Sequence, residues 1–200
     1  MATPAIERFT VKSGGNVGIS VMKTGSGPAL LLIHGALLNA TLSWGAVLAK
    51  LAAHFTVYAM DRRGRAPSGD SESYSISMEA GDIAHVVDAI GEAIGQPVTI
   101  LAHSYGALAT LEALEQLKGI KRLILYEPPL YAGATRAGVR RDHAANGSGV
   151  AGERSRKNCY RISLRTDWSA AGTPGWVSVV ADLGFGAPDC LDPAAGDPLR

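Results

Sequence analysis

The chain has 200 residues, 19 basic and 18 acidic side chains, and a formal net charge of +1. That balance leaves no electrostatic footprint for nucleic acid or an anionic membrane surface. Two cysteines, Cys159 and Cys190, are too few for a disulfide scaffold or a self-contained zinc site. No basic segment leads into an apolar run at the start. The longest purely apolar stretch, Ala29–Ile33, is far short of the roughly 20 residues a membrane span needs. The expectation is a soluble, cytoplasmic globular protein with no nucleic-acid or membrane partner.

In chain order, Phe9–Lys12 and Val17–Val21 alternate apolar and polar residues around Ser13-Gly-Gly-Asn16, which predicts a hairpin with one solvated face. Ala29–Ile33 is continuously apolar, as a strand buried on both faces should be. Trp44–Leu51 has helical spacing, and Thr56–Met60 is a second buried strand. Ile76–Ile94 carries Ile83, Val86, Val87, Ile90 and Ile94 at three- and four-residue steps, an amphipathic helix with Ser77 as its N-cap. Val98–Ala102 is a third buried strand. Leu108, Leu111, Leu114 and Leu117 follow on a helix that stops near Gly119, and Arg122–Tyr126 is a fourth buried strand. Strand alternating with helix predicts an α/β fold, a mostly parallel sheet with helices on both faces.

The pattern then changes. Residues 1–135 hold 36 Leu, Ile, Val and Phe, whereas residues 136–200 hold 11. That second density is about 17 %, below the roughly 20 % that globular cores need. Residues 1–135 are therefore read as the folded core and 136–200 as an irregular C-terminal region. Tyr160–Arg165 and Trp176–Val180 are candidate short strands there. A disordered tail or a reading-frame change in the gene would give this composition step. Translating the DNA in the other two frames tests the second: a restored strand–helix pattern with a late Asp and His is the expected sign.

Three motifs carry chemistry. Leu101-Ala-His-Ser-Tyr-Gly-Ala107 lies where a buried strand runs straight into a helix. The small residues Ala102 and Gly106 permit a sharp turn that sets the Ser104 hydroxyl above the carboxyl end of the sheet, close to the G-x-S-x-G nucleophile elbow. The plainer reading is a helix start that Ser104 merely caps. His34-Gly-Ala-Leu37 follows the first buried strand. Acyl transfer needs two N–H groups aimed at the developing oxyanion, and the backbones of Ala36 and Tyr105 are placed to supply them. His34 itself reads as a loop-orienting hydrogen-bonding residue. Asp61-Arg-Arg-Gly-Arg-Ala-Pro-Ser-Gly69 reads as a structural loop shaping the site floor, since the chain holds no P-loop to make its arginines phosphate ligands.

HGALLNATLSW, DRRGRAPSGD, LAHSYGALATLEAL and LILYEPP, in this order, resemble the N-terminal part of an α/β-hydrolase of the esterase, lipase and cofactor-free haloperoxidase-like superfamily. The resemblance covers about residues 5–131. It implies the first six strands of an eight-stranded sheet, truncated after about the sixth, with Ser104 as nucleophile and Ala36 and Tyr105 as the oxyanion hole. Ala66 stands where the family's DRRGRG loop has glycine.

The resemblance also implies an acid after the seventh strand and a histidine after the eighth, roughly 70 residues beyond this chain's end by the span of a strand–helix pair. Within the chain, His34, His54, His85 and His103 are unsuitably placed, which leaves His143 as the candidate base. Glu127, at the end of the sixth strand, is the candidate acid. A serine without a base is a poor nucleophile. The expected function is a serine hydrolase acting on an ester or similar acyl bond of a small-molecule substrate, impaired by an incomplete triad, with no metal or cofactor. Haloperoxidase-like and carbon–carbon hydrolase chemistry stay open, because fold does not fix reaction. The alternative is a non-catalytic, degenerate hydrolase or small-ligand-binding protein. If the tail leaves the sixth strand uncovered, that apolar edge predicts self-association and marginal stability.

Overall fold

A computed structural model describes residues 5–129, 161–166 and 177–182. Strands β1 (Glu7–Lys12) and β2 (Gly18–Gly25) form an antiparallel hairpin across a short 3-10 turn at Gly14–Asn16. Then follow β3 (Ala29–Ile33), α1 (Ala40–Ala52), β4 (Thr56–Met60), α2 (Ile76–Ile94), β5 (Val98–His103), α3 (Tyr105–Ala113) and β6 (Ile120–Tyr126). Two more strands are β7 (Arg161–Thr166) and β8 (Val177–Asp182). The sheet runs β1-β2-β4-β3-β5-β6-β8-β7. Strands β4, β3, β5 and β6 are mutually parallel, while β2 meets β4, and β8 meets β6, antiparallel.

The two faces bury different residues. Leu31 and Ile33 of β3, Ile100 of β5 and Leu123 of β6 pack with Ile83, Val86, Val87 and Ile90 of α2 and with Ala107 and Ala109 of α3. The opposite residues Leu30 and Leu32 pack with Trp44 and Ala52 of α1. Every residue of β3 is buried, as its unbroken apolar run predicts.

The helix ends differ from expectation in three places. α1 starts at Ala40, a turn before Trp44. The Asn39 side chain accepts from the Leu42 N–H, and buried Asp61 accepts from the Ala40 N–H at 2.7 Å. Thr41, Ser43 and Gly45 hide that first turn from apolar periodicity. α2 is capped by Ser75, whose hydroxyl accepts from the Met78 N–H, and not by Ser77. α3 ends at Ala113. Leu117 is buried beyond it in a turn, which brings the chain back to β6 through Gly119 at a left-handed φ of 63°.

Strand β6 is not an edge. β8 pairs along Arg122–Tyr126 and β7 along β8, so the free edge on this side passes to β7. No described helix is long and apolar enough to cross a membrane.

Candidate active site

The site sits where β3, β5 and β6 end side by side. Ser104 joins β5 to α3 with φ 50° and ψ −121°, a combination that side chains resist. Its side chain makes no capping hydrogen bond, so the plainer reading of a helix cap is set aside. The turn is held from β6, where the Tyr126 carbonyl accepts from the Ser104 N–H at 2.9 Å.

Two glycines let the backbones meet. A Cβ on Gly106 would strike the carbonyl oxygen of His34, so α3 lies directly against the end of β3. A Cβ on Gly35 would come within 3.2 Å of the Ser104 Cβ and 3.1 Å of His103 Nδ1. The loop after β3 therefore passes against Ser104. Ala36 is exposed, and neither its N–H nor that of Tyr105 donates to another described residue.

Beneath this loop lies a buried polar network. The Arg62 N–H donates to His34 Nε2 at 3.0 Å, which places the ring proton on Nδ1, and Nδ1 donates to the Gly35 carbonyl at 2.8 Å. Burial, reinforced by the Arg62 charge, lowers the His34 pKa below its ordinary value against the pull of that carbonyl. Arg62 Nη1 donates to the same carbonyl at 2.7 Å and Nη2 to Glu79 at 2.7 Å, and its guanidinium lies 4.7 Å from the centre of the Tyr105 ring. The Tyr74 hydroxyl donates to Glu79 at 2.8 Å, so in the 2.6 Å contact between the two phenols Tyr105 is the donor. Although Tyr74 is exposed, loss of water around its hydroxyl, together with the bond that hydroxyl gives to the Glu79 carboxylate, raises its pKa. A parallel pair, Arg63 with Asp82, is buried equally deeply in the same loop and helix.

On the α1 side of the sheet, His103 sits edge-on to Trp44, ring centres 6.4 Å apart, and beside Tyr126 at 5.4 Å. Its Nε2 is 3.8 Å from Glu127, which caps β6 at φ 50°. A hydrogen bond to that carboxylate raises the Tyr126 pKa.

Of the residues expected at the site, Ser104, Ala36, Tyr105 and Glu127 come from adjoining strand ends. His143, Cys159 and Cys190 lie outside the described residues. None of the four described histidines hydrogen-bonds to Ser104. His34 is engaged with Arg62 and Gly35, His54 lies in the turn before β4, at the opposite end of the strands, and His85 bonds the Gly81 carbonyl within α2. His103 turns to Trp44 and Glu127. Sequence reading placed the arginines in the floor but missed their partners. The signal was present: Glu79 and Asp82 interrupt the apolar face of α2 at the spacing that buries Ile83, Val86 and Val87. Among the described residues, no group of three or more His, Cys, Asp or Glu is arranged to hold a metal.

The sequence model of the alpha/beta hydrolase family matches residues 30–200. The chain belongs to that family. Within it, the chain is 32 % identical over 137 residues to N-formylmaleamate deformylase of Pseudomonas putida, covering 64 % of this chain and 50 % of that one. Among solved structures, an alpha/beta hydrolase from Sphaerobacter thermophilus matches with TM-score 0.54 at 36 % identity, over 60 % of this chain and 45 % of that one. An epoxide hydrolase from Vigna radiata matches with TM-score 0.56 at 28 % identity, over 63 % and 41 %. The matches thus span about half or less of these hydrolases.

Proposed function

We propose that this family member is a serine hydrolase acting on an ester or similar acyl bond, with Ser104 as nucleophile and the N–H groups of Ala36 and Tyr105 as oxyanion donors. One observation carries the reading. Ser104 is held in a strained backbone conformation against the loop after β3, its hydroxyl spared from capping and the Ala36 and Tyr105 amides unengaged among the described residues. A deformylase relative fits, because a formyl group is an acyl group.

In this reaction Ser104 Oγ adds to the carbonyl carbon as its proton passes to a base. The carbonyl oxygen becomes an oxyanion facing the two amides. The leaving group departs with that proton, and water then cleaves the acyl-serine ester. Glu127 is the proposed acid and His143 the proposed base. With no described histidine on Ser104, we read the activity as impaired. A site lacking a triad member keeps the oxyanion hole and binding, on the order of 10³-fold over water.

Treatment of the folded chain with a fluorophosphonate, followed by peptide mass spectrometry, tests this. Label on Ser104, lost in Ser104→Ala and slowed in His143→Ala, is the expected result. A sample folded by circular dichroism yet unlabelled would instead favour the second reading, a degenerate hydrolase that binds a small ligand without turnover. That reading draws on the same separation of Ser104 from the four described histidines.

A further inference from the structure

A single guanidinium contacts Gly35, whose carbonyl shares a peptide unit with the Ala36 N–H, and the side chain of Tyr105. Arg62 donates to the Gly35 carbonyl, and its guanidinium carbon lies over the Tyr105 ring, 4.7 Å from the ring centre. The Gly35 carbonyl and the Ala36 N–H belong to one peptide unit. The cis bond among the described residues is Ala66–Pro67, so this unit is trans. In a trans peptide the C=O and N–H point opposite ways. Fixing the carbonyl with two donors, Arg62 Nη1 and His34 Nδ1, therefore fixes the direction of the Ala36 N–H, away from the buried guanidinium. At the other end, the Tyr105 side chain is held twice, by the Arg62 face and by the Tyr74 hydroxyl. Glu79 fixes the fork that does both, binding Nε and Nη2 of Arg62 and the Tyr74 hydroxyl.

We propose that Arg62, braced by Glu79, is a positioning residue that sets the Ala36 and Tyr105 amides relative to each other, so that both can meet one oxyanion. This rests on the acyl-transfer reading above. The arrangement needs arginine: a planar fork can bind a carboxylate, a carbonyl and a ring face at once, which a lysine ammonium cannot. The Arg63–Asp82 pair supplies the comparison. It leaves the same loop, enters the same helix and is as deeply buried, but it bonds Ser71 and touches neither Gly35 nor Tyr105.

The test uses the full chain and reads two quantities from fluorophosphonate labelling, the second-order rate and the final labelled fraction. Each ion pair is replaced by apolar residues of similar size, as Arg62→Met/Glu79→Leu and as Arg63→Met/Asp82→Leu, since buried pairs often tolerate such exchange. The first variant should label completely but about 100-fold more slowly, the effect of losing one oxyanion donor. With p-nitrophenyl acetate its kcat should fall while KM holds. The second variant should keep the wild-type rate. A lower labelled fraction at unchanged rate would reduce Arg62 to a stabilising role and overturn the inference, leaving Ser104 as nucleophile. Equal slowing in both variants would overturn it too. If the first variant does not fold, Tyr105→Leu decides, because it removes only the ring from a half-buried position; an unchanged rate there refutes the coupling. Failure of the wild-type chain to label, or labelling that survives Ser104→Ala, would remove the nucleophile itself and the inference with it.

Discussion

At the scale of single residues, Ser104 sits in backbone space where glycine is at ease. Such strain costs on the order of 1–3 kcal/mol, against about 0.5–1 kcal/mol for the extra freedom glycine brings to the unfolded chain. Ser104→Gly should therefore be more stable than Ser104→Ala, the reverse of the usual order, as urea denaturation of the two variants will show. His34 gives a second expectation. Its buried ring stays neutral when folded, with a pKa below its ordinary 6.5. As pH falls through about 6.5 the unfolded chain takes up a proton that the folded chain refuses, so this contribution is present above that pH and lost below it. The slope is at most about 1.4 kcal/mol per pH unit. The stability gap between wild type and His34→Gln should narrow between pH 7.5 and 5.5 in paired denaturation curves.

At the scale of elements, the strands and the long helix were legible because their apolar residues repeat with the period of the structure they form. Ala29–Ile33 and Ile76–Ile94 appear with the bounds their sequences suggest. The sharp turn at Ser104 and its approach to the loop after β3 were legible through the small residues around them. What stayed hidden depends on contacts distant in sequence. Arg62 and Arg63 read as part of a loop shaping the site floor, and no local rule joins them to Glu79 and Asp82. The same limit moved the cap of α2, since Ser75 and Ser77 have equal local chemistry and only the backbone path selects one. Ser75→Ala should cost about 1 kcal/mol, the worth of a cap, whereas Ser77→Ala should be near neutral by thermal denaturation.

At the scale of the whole molecule, the parallel run β4-β3-β5-β6 is closed on one side by the β2–β1 hairpin and on the other by β8 and β7. An apolar strand with an unpaired side invites another chain, so the pairing of β6 with β8 matters for solution behaviour. Amides of Ile120–Tyr126 should exchange with deuterium as slowly as those of β5. Fast exchange on alternate residues would mean that β8 does not stay in place. With β8 in place, self-association through this side of the sheet belongs to β7 and not to β6.

The ring stack beside Ser104 has an optical consequence. Trp44 lies edge-on to His103, one residue from Ser104, the proposed nucleophile, and its indole N–H is buried without an acceptor among the described residues. Once Trp168 and Trp176 are changed to phenylalanine, the emission of Trp44 becomes a built-in reporter of any acyl group placed on Ser104, readable in real time without an added dye.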